Sequence, residues 1–198
     1  MELDSDQIAR LREELTAVTR MAFTRGLSSG ISGNTSARVP GNPGVVLIKA
    51  TGKCFGEVNP EDFVPVDLAG NPLSDSGKPS KEVKFHCGIY RERPEVGAVF
   101  HGHSAYTTAY VVAKGDLPLV TAAARGLIGE VEVVDFAPAG SDALAAMVVA
   151  AFKGSTCKCC VLKTHGFVAA AADIAKAFYL GDVLEDNAKV ASIMASYK

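Results

Sequence analysis

The sequence predicts an α/β domain in which helices flank a sheet. Two observations support this fold class: apolar residues recur with helical spacing in several segments, and short β-branched runs lie between those segments. The connections are short, which favours antiparallel or mixed strand pairing over regular βαβ units. Because no repeat, low-complexity tract or linker interrupts the chain, we expect residues 1–198 to form a single domain.

The N-terminal part combines one helix with two short strands. The first predicted helix covers residues 5–27, with Gly26 near its end, and its apolar stripe consists of Ile8, Leu11, Leu15, Val18 and Ala22. The polar, glycine-punctuated segment 28–36 is predicted to be a loop. Strands are predicted at residues 45–48 and 64–67, where apolar runs end at turn residues.

The central segment contains a helix, a strand and a second helix. Ser80 is well placed to cap a helix that runs to about Arg91, just short of Pro94. An apolar strand at residues 96–100 ends immediately before two histidines. A second helix is predicted over residues 104–113.

The C-terminal part contains two strands and two helices. A strand at residues 131–134 precedes a helix over residues 142–152, for which Ser141 is the predicted N-cap. Another strand is predicted at residues 161–163. Asp173 is the predicted cap of the last helix, and the packing face of that helix consists of Ile174, Ala177, Phe178, Leu184 and Ala188.

The composition narrows the possible partners and location of the protein. Hydrophobic residues make up 48% of the chain and charged residues 21%, which is typical of a globular protein. The net charge of −2 provides no broad basic field, so we expect no nucleic-acid partner. No run of about 20 apolar residues predicts a membrane span. Five cysteines and an acidic N-terminus without a secretory signal favour a cytoplasmic location.

Cys157 and Cys160 form a C-x-x-C motif. A zinc ribbon would need a second pair, and a thioredoxin-like pair would precede a helix, whereas an apolar run follows here. We expect these cysteines to be small residues that open a strand, with a redox or metal role as the weaker alternative.

Three of the four histidines lie in positions that suit a metal ion. His101 and His103 are two residues apart, so on an extended strand both imidazoles project from one face. His165 from a distant segment would complete a three-histidine set with open coordination positions, as in catalytic zinc sites. The alternative for each histidine alone is an ordinary core or surface imidazole.

Three short segments are suited to bind a phosphate group. Gly33-Asn34, Thr51-Gly52 and the helix start at Ser80 each offer backbone N–H groups and small polar side chains. Such segments, and helix N-termini, hold dianions well. Each segment alone is more often a plain turn or a cap.

Glu82 lies in the predicted first turn of the helix that follows Ser80. A glutamate there commonly complements the helix dipole. The functional alternative is a general base whose pKa is set by partial burial or by a nearby metal ion.

Taken in order, these motifs resemble the class II aldolase/adducin family, and the resemblance covers nearly the whole chain. The likeness is greatest to the members that cleave L-fuculose 1-phosphate. The segments that carry it are Ser32–Ser36, Ala50–Gly52, Pro79–Glu82, Phe85–His86, Arg93–Pro94, His101–Ser104 and Thr164–Gly166.

The resemblance implies a three-layer α/β/α fold around a central mixed, largely antiparallel sheet. It also implies a homotetramer with active sites at subunit interfaces. In this family His101, His103 and His165 would bind Zn2+, with Mn2+ or Co2+ as other possible ions. Glu82 would be the catalytic carboxylate and a further metal ligand when substrate is absent, while His86 matches a structural position.

The resemblance also assigns the phosphate positions and the reaction. Gly33, Asn34, Thr51, Gly52 and Ser80 match the phosphate-binding positions, and Lys81 replaces a small hydroxyl residue beside them. The implied reaction is retro-aldol cleavage of a ketose 1-phosphate to dihydroxyacetone phosphate and an aldehyde. The substrate would be L-fuculose 1-phosphate or a 5-deoxy- or methylthio-pentulose 1-phosphate.

Departures from the family pattern keep other activities open. The Lys81 ammonium suits a phosphate or a substrate carboxylate, so a decarboxylase of a phosphorylated 3-oxo sugar acid is an alternative. A pentulose-5-phosphate 4-epimerase is disfavoured because those relatives carry Asp where this chain has Glu82. Residues 119–124 lack the tyrosine that aldolases use for the C4 oxygen, and Tyr197 is only a weak substitute. A non-catalytic scaffold, as in adducin, is disfavoured because all candidate ligands are present.

Overall fold

The computed structural model describes residues 5–154 and 156–197. The strands are β1 (Asn34–Val39), β2 (Asn42–Lys49), β3 (Phe63–Asp67), β4 (Ala98–Gly102), β5 (Val131–Val134), β6 (Cys159–Leu162) and β7 (Gly166–Ala171). The α-helices are α1 (Ser5–Thr24), α2 (Val83–Glu92), α3 (Ala105–Lys114), α4 (Ala122–Leu127), α5 (Asp142–Phe152) and α6 (Ile174–Ser196).

The strands form one seven-stranded sheet in the order β3-β2-β1-β4-β7-β6-β5. Five neighbouring pairs are antiparallel, and β5 and β6 are parallel. The parallel pair is joined by α5, because a parallel connection needs a crossover segment. The sheet is therefore mixed and largely antiparallel, as predicted.

Helices cover both faces of the sheet. Successive strand residues point to opposite faces, so Leu47 and Phe100 pack toward α1, α3, α4 and α6. Ile48 and Val99 pack toward α2 and α5 on the other face. The two apolar clusters confirm the predicted three-layer α/β/α architecture.

Two helices begin where the sequence predicts. The Ser141 side chain accepts a hydrogen bond from Leu144 N and caps α5, and the Asp173 side chain accepts one from Lys176 N and caps α6. The predicted packing face of α6 is buried in full. Local capping chemistry determines these boundaries.

The loop prediction for residues 28–36 is wrong at its end, because Asn34 begins the inner strand β1. Its polar side chains find partners inside the protein: Thr35 Oγ1 lies 2.7 Å from Thr19 Oγ1, and Ser36 Oγ lies 2.7 Å from His86 Nδ1. A polar sequence can form a buried strand when such partners come from distant segments.

The predicted cap at Ser80 is also wrong, since α2 begins at Val83 with Glu82 as its N-cap residue. Ser80 N donates to Lys49 O, so Ser80 continues the chain along the end of β2. The Ser80 side chain still accepts a hydrogen bond from Glu82 N at 3.2 Å.

The sequence does not predict α4 or β7. The strand that it predicts at residues 96–100 also ends earlier than β4 does. α4 has six residues, too few for a periodic pattern, and β7 is rich in alanine, which has low strand propensity. β4 extends to Gly102 and so includes His101. None of the described helices is long and apolar enough to cross a membrane.

Cys160 lies at the start of β6, beside Cys159, as predicted, whereas Cys157 precedes the strand. Cys159 and Cys160 are both fully buried. Burial raises the pKa of both thiols, so both side chains stay protonated at neutral pH.

Candidate active site

Four side chains meet at one end of the central strands. Glu82 precedes α2, His101 lies in β4, His103 follows β4, and His165 lies in the turn between β6 and β7. One candidate ligand atom from each of these residues lies within 4.8 Å of the others. The structure thus brings together every residue that the sequence suggested as a metal ligand.

Backbone packing explains why His165 reaches the other two histidines. β4 and β7 pair antiparallel, so the end of β4 lies beside the start of β7, where Gly102 pairs with Phe167. A Cβ at Gly166 would lie only 2.1 Å from Gly102 O, so glycine permits this close approach. His103 N also donates to Leu27 O, which fixes the segment after β4.

The tautomer of His101 follows from its hydrogen bonds. His101 Nδ1 lies 2.8 Å from the carbonyl oxygen of Phe167, which can only accept, so Nδ1 carries the proton. Nε2 therefore faces into the cluster, where His103 Nε2 lies 2.9 Å away. Metal-bound histidines are commonly held by a carbonyl in this way.

The Glu82 carboxylate has one engaged oxygen and one without a hydrogen-bond donor. Oε2 accepts a hydrogen bond from Asn34 Nδ2 at 2.8 Å and lies 3.2 Å from His101 Nε2. Oε1 is buried, has no donor among the described residues, and lies 3.4 Å from His165 Nε2. Such a buried oxygen is expected to bind a ligand.

The charge state of the cluster suits a cation. Burial, reinforced by repulsion from His101, lowers the pKa of His103 to about 3 and that of His165 to about 4. Burial alone would raise the pKa of Glu82, but attraction to His101 and the Asn34 hydrogen bond outweigh it and lower the pKa. The two imidazoles are therefore neutral at pH 7 and the carboxylate is ionised.

This donor set fits a divalent metal ion. Three imidazoles and one carboxylate are ligands that Zn2+ and other first-row transition ions accept. The buried Glu82 Oε1 has no hydrogen-bond donor among the described residues, and His101 Nε2 faces the same group of candidate ligand atoms.

A cavity of about 220 Å3 opens beside the cluster. Its lining includes Glu82, His103 and His165. All positions that the sequence suggested for phosphate also line it: Gly33, Asn34, Thr51, Gly52, Ser80 and Lys81. The metal-ligand candidates and the phosphate candidates therefore share one cavity.

Glycine is required at Gly33, on the cavity wall. Its φ of +74° lies in the left-handed region, and an added Cβ would lie within 3 Å of Ser28 Oγ, His101 O and Phe55 Cζ. The loop can therefore approach β4 closely.

The sequence missed Lys49, which also lines the cavity. Its side chain is buried, with Nζ donating to the carbonyls of Ala50 and Lys53, and burial lowers its pKa to about 8. Lys49 is therefore still mostly protonated at pH 7 and adds positive charge to the candidate phosphate site. A charged residue at the end of the apolar run 45–48, just before Thr51-Gly52, was the available signal.

Tyr197 and the segment 119–124, which the sequence analysis considered in connection with the C4 oxygen, are not part of the cavity lining. Tyr197 is 86% exposed at the end of α6 and does not line the cavity. Residues 119–124 are held by Asn187, whose side chain accepts hydrogen bonds from Val120 N and Thr121 N.

Comparison with known proteins agrees with this fold. Residues 13–192 match the family described as the Class II Aldolase and Adducin N-terminal domain. The chain is 34% identical over 187 residues to an L-fuculose phosphate aldolase of Methanococcus vannielii, with 93% of this chain and 97% of that protein covered. It is 33% identical over 201 residues to a 3-oxo-tetronate 4-phosphate decarboxylase of Pectobacterium atrosepticum, with 99% and 89% covered.

Two further similarities extend this comparison. The chain is 31% identical over 180 residues to a 5-deoxy-D-ribulose 1-phosphate aldolase of Bacillus thuringiensis serovar kurstaki, with 90% of this chain and 83% of that protein covered. The crystal structure of YgbL from Klebsiella pneumoniae superposes with a TM-score of 0.88 at 30% identity, covering 97% of this chain and 93% of that one.

Together with these relatives, the fold and the site place the chain among the metal-dependent lyases. It belongs to the class II aldolase and adducin family. Class II aldolases use a divalent metal ion, and the cluster of three histidines and Glu82 is the group in the described chain that suits one.

Proposed function

We propose that this chain is a zinc-dependent aldolase that cleaves a ketose 1-phosphate into dihydroxyacetone phosphate and an aldehyde. The observation that carries the proposal is that the cluster of Glu82, His101, His103 and His165 adjoins the cavity lined by the phosphate candidates. The aldolase relatives support L-fuculose 1-phosphate or a 5-deoxy-pentulose 1-phosphate as substrate, and a methylthio-pentulose 1-phosphate belongs to the same class.

In this proposal His101, His103 and His165 hold the ion, with Glu82 as a further ligand when substrate is absent. Zn2+ is the first choice for this donor set, and Mn2+ or Co2+ are alternatives. A bound ion would supply Lewis acidity that stabilises the negative charge of an enediolate.

In this proposal Glu82 carries out the proton transfer at C3, where the bond to C4 breaks. When the C3–C4 bond breaks, the C4 hydroxyl loses its proton and becomes the aldehyde, and the electron pair remains on the C2–C3 enediolate. Protonation at C3 then gives dihydroxyacetone phosphate. Glu82 Oε1 has no hydrogen-bond donor among the described residues, which supports its use for this transfer.

The phosphate group would lie among Gly33, Thr51, Gly52, Ser80 and Lys49. Backbone N–H groups and a buried ammonium attract a dianion, and its binding orients the reacting carbons. The side chain of Asn34 already bonds Glu82, so its proposed phosphate contact would use its remaining amide hydrogen or its backbone.

The test uses purified protein with measured metal content. Wild type should contain about one zinc per subunit and release dihydroxyacetone phosphate, and chelation should abolish turnover until zinc is returned. His103→Ala should lose both metal and activity, whereas Glu82→Gln should bind a phosphorylated substrate and lose turnover. Equal turnover by metal-free protein would contradict the proposal.

Decarboxylation of a phosphorylated 3-oxo sugar acid is a second candidate function. Lys81 lies at the cavity with an exposed side chain, and its ammonium suits a substrate carboxylate. The relative from Pectobacterium atrosepticum supports this activity. A panel of ketose phosphates and 3-oxo acid phosphates, scored for triose phosphate against carbon dioxide, separates the two reactions.

We further propose that residues 1–198 act as one domain in a cytoplasmic homotetramer with active sites at subunit interfaces. Tyr106 and Val112 on α3, which follows His103 and Ser104, are exposed apolar residues that suit such an interface. Light scattering of purified protein measures the assembly.

A further inference from the structure

A chain of buried polar side chains leads from Glu82 into the core. Asn34 bonds Glu82 on one side and His86 Nε2 on the other. Behind His86, Ser36 Oγ lies 2.7 Å from His86 Nδ1 and 2.8 Å from Tyr90 Oη. Ser36, His86 and Tyr90 are at most 1% exposed, so no solvent can replace a lost partner.

The direction of every hydrogen bond in this chain follows from the carboxylate. Ionised Glu82 can only accept, so Asn34 must present its NH2 group to Oε2 and its carbonyl oxygen to His86. That oxygen can only accept, so His86 Nε2 carries the proton and Nδ1 has a lone pair. Ser36 then donates to Nδ1 and accepts from Tyr90.

The opposite tautomer of His86 would disturb Glu82. A proton on Nδ1 would leave the Nε2 lone pair facing the Asn34 oxygen. Turning the Asn34 amide to relieve this contact would place its oxygen against the Glu82 carboxylate, which also cannot donate. Each tautomer of His86 therefore corresponds to one orientation of Asn34.

We propose that His86 is a positioning residue for Glu82. Supported by Ser36 and Tyr90, its Nε2–H tautomer orients the Asn34 amide so that Oε2 is held and Oε1 stays available. This role rests on the proposed proton transfer by Glu82. Neither His86 nor Tyr90 lines the cavity, so both act through Asn34.

The first experiment needs no turnover. Nitrogen-15-labelled histidine in metal-free wild type should give a protonated Nε2 and an unprotonated Nδ1 for His86, and Asn34→Ala should change this pattern. A signal from the opposite tautomer in the wild type would overturn the positioning role and leave the aldolase proposal intact.

The second experiment compares variants at His86. His86→Gln keeps an N–H donor toward Asn34 and should retain activity within about threefold, whereas His86→Leu should lower kcat about 10- to 100-fold with little change in KM or zinc content. Cys87→Ala is the matched control: it disturbs the same buried helix but not the hydrogen-bond chain, so kcat should not change.

The outcomes separate the two proposals. Equal kcat in His86→Leu and Cys87→Ala would overturn the positioning role. If Glu82→Gln kept full turnover while the predicted tautomer was observed, the proposed role of Glu82 would fail instead.

Discussion

Replacing Gly166 by alanine should separate the histidines that β4 and β7 bring together. The new Cβ would lie 2.1 Å from Gly102 O and 3.1 Å from His103 Cα. Both neighbours are backbone atoms, so the turn that carries His165 must move by about 1 Å. Overpacking of this kind costs about 3 kcal/mol, which lowers the melting temperature by about 6–12 °C in a chain of this length.

The same displacement should weaken zinc binding. A shift of about 1 Å in a site costs on the order of 100-fold in rate, and disturbed support of a ligand costs about 10- to 100-fold in metal affinity. Thermal unfolding with and without zinc, together with zinc titration of metal-free protein, measures both effects.

Gly126→Ala is the matched control for this experiment. Gly126 lies in α4, and an added Cβ there meets no atom within 4 Å. Because alanine favours helix, this variant should be unchanged or more stable by up to about 1 kcal/mol. If Gly166→Ala matched Gly126→Ala in melting temperature and zinc affinity, the close approach of β4 and β7 would not position His165.

Two further predictions concern buried charge and a helix start. Burial lowers the pKa of Lys49 from 10.5 to about 8, so the unfolded chain binds that proton more tightly than the folded chain does. The free energy of unfolding of wild type should therefore rise by up to about 3 kcal/mol relative to that of Lys49→Met as pH increases from 8 to 10.5. Denaturant unfolding at both pH values checks this, and a constant difference would refute it. Glu185→Ala should lower the free energy of unfolding by about 1–2 kcal/mol, because the carboxylate accepts hydrogen bonds from Tyr106 N, Thr107 N and Thr107 Oγ1 at the start of α3. Urea unfolding with Glu185→Gln as the conservative comparison tests it, and unchanged stability in Glu185→Ala would contradict the capping role.

Elements with local signals could be predicted from the sequence. Ser141 and Asp173 cap their helices with their own side chains, and the apolar spacing of α6 matches its buried face. β1 could not be predicted, because Thr35 and Ser36 are stabilised by Thr19 and His86 from distant segments. A sequence pattern records propensity and does not record such partners.

The candidate site likewise has features that the sequence predicts and features that only the structure reveals. The sequence by itself determined which ligand types are present, since the two-residue spacing of His101 and His103 and the motifs around Glu82 and His165 are local properties. Only the tertiary structure decided that the Asn34 side chain bonds Glu82 and His86, and that Lys49 is buried beside the cavity. The reason is that the hydrogen bonds of Asn34 join residues about 50 positions apart, and that burial lowers the pKa of Lys49. Only sheet pairing and helix packing produce such contacts and such burial.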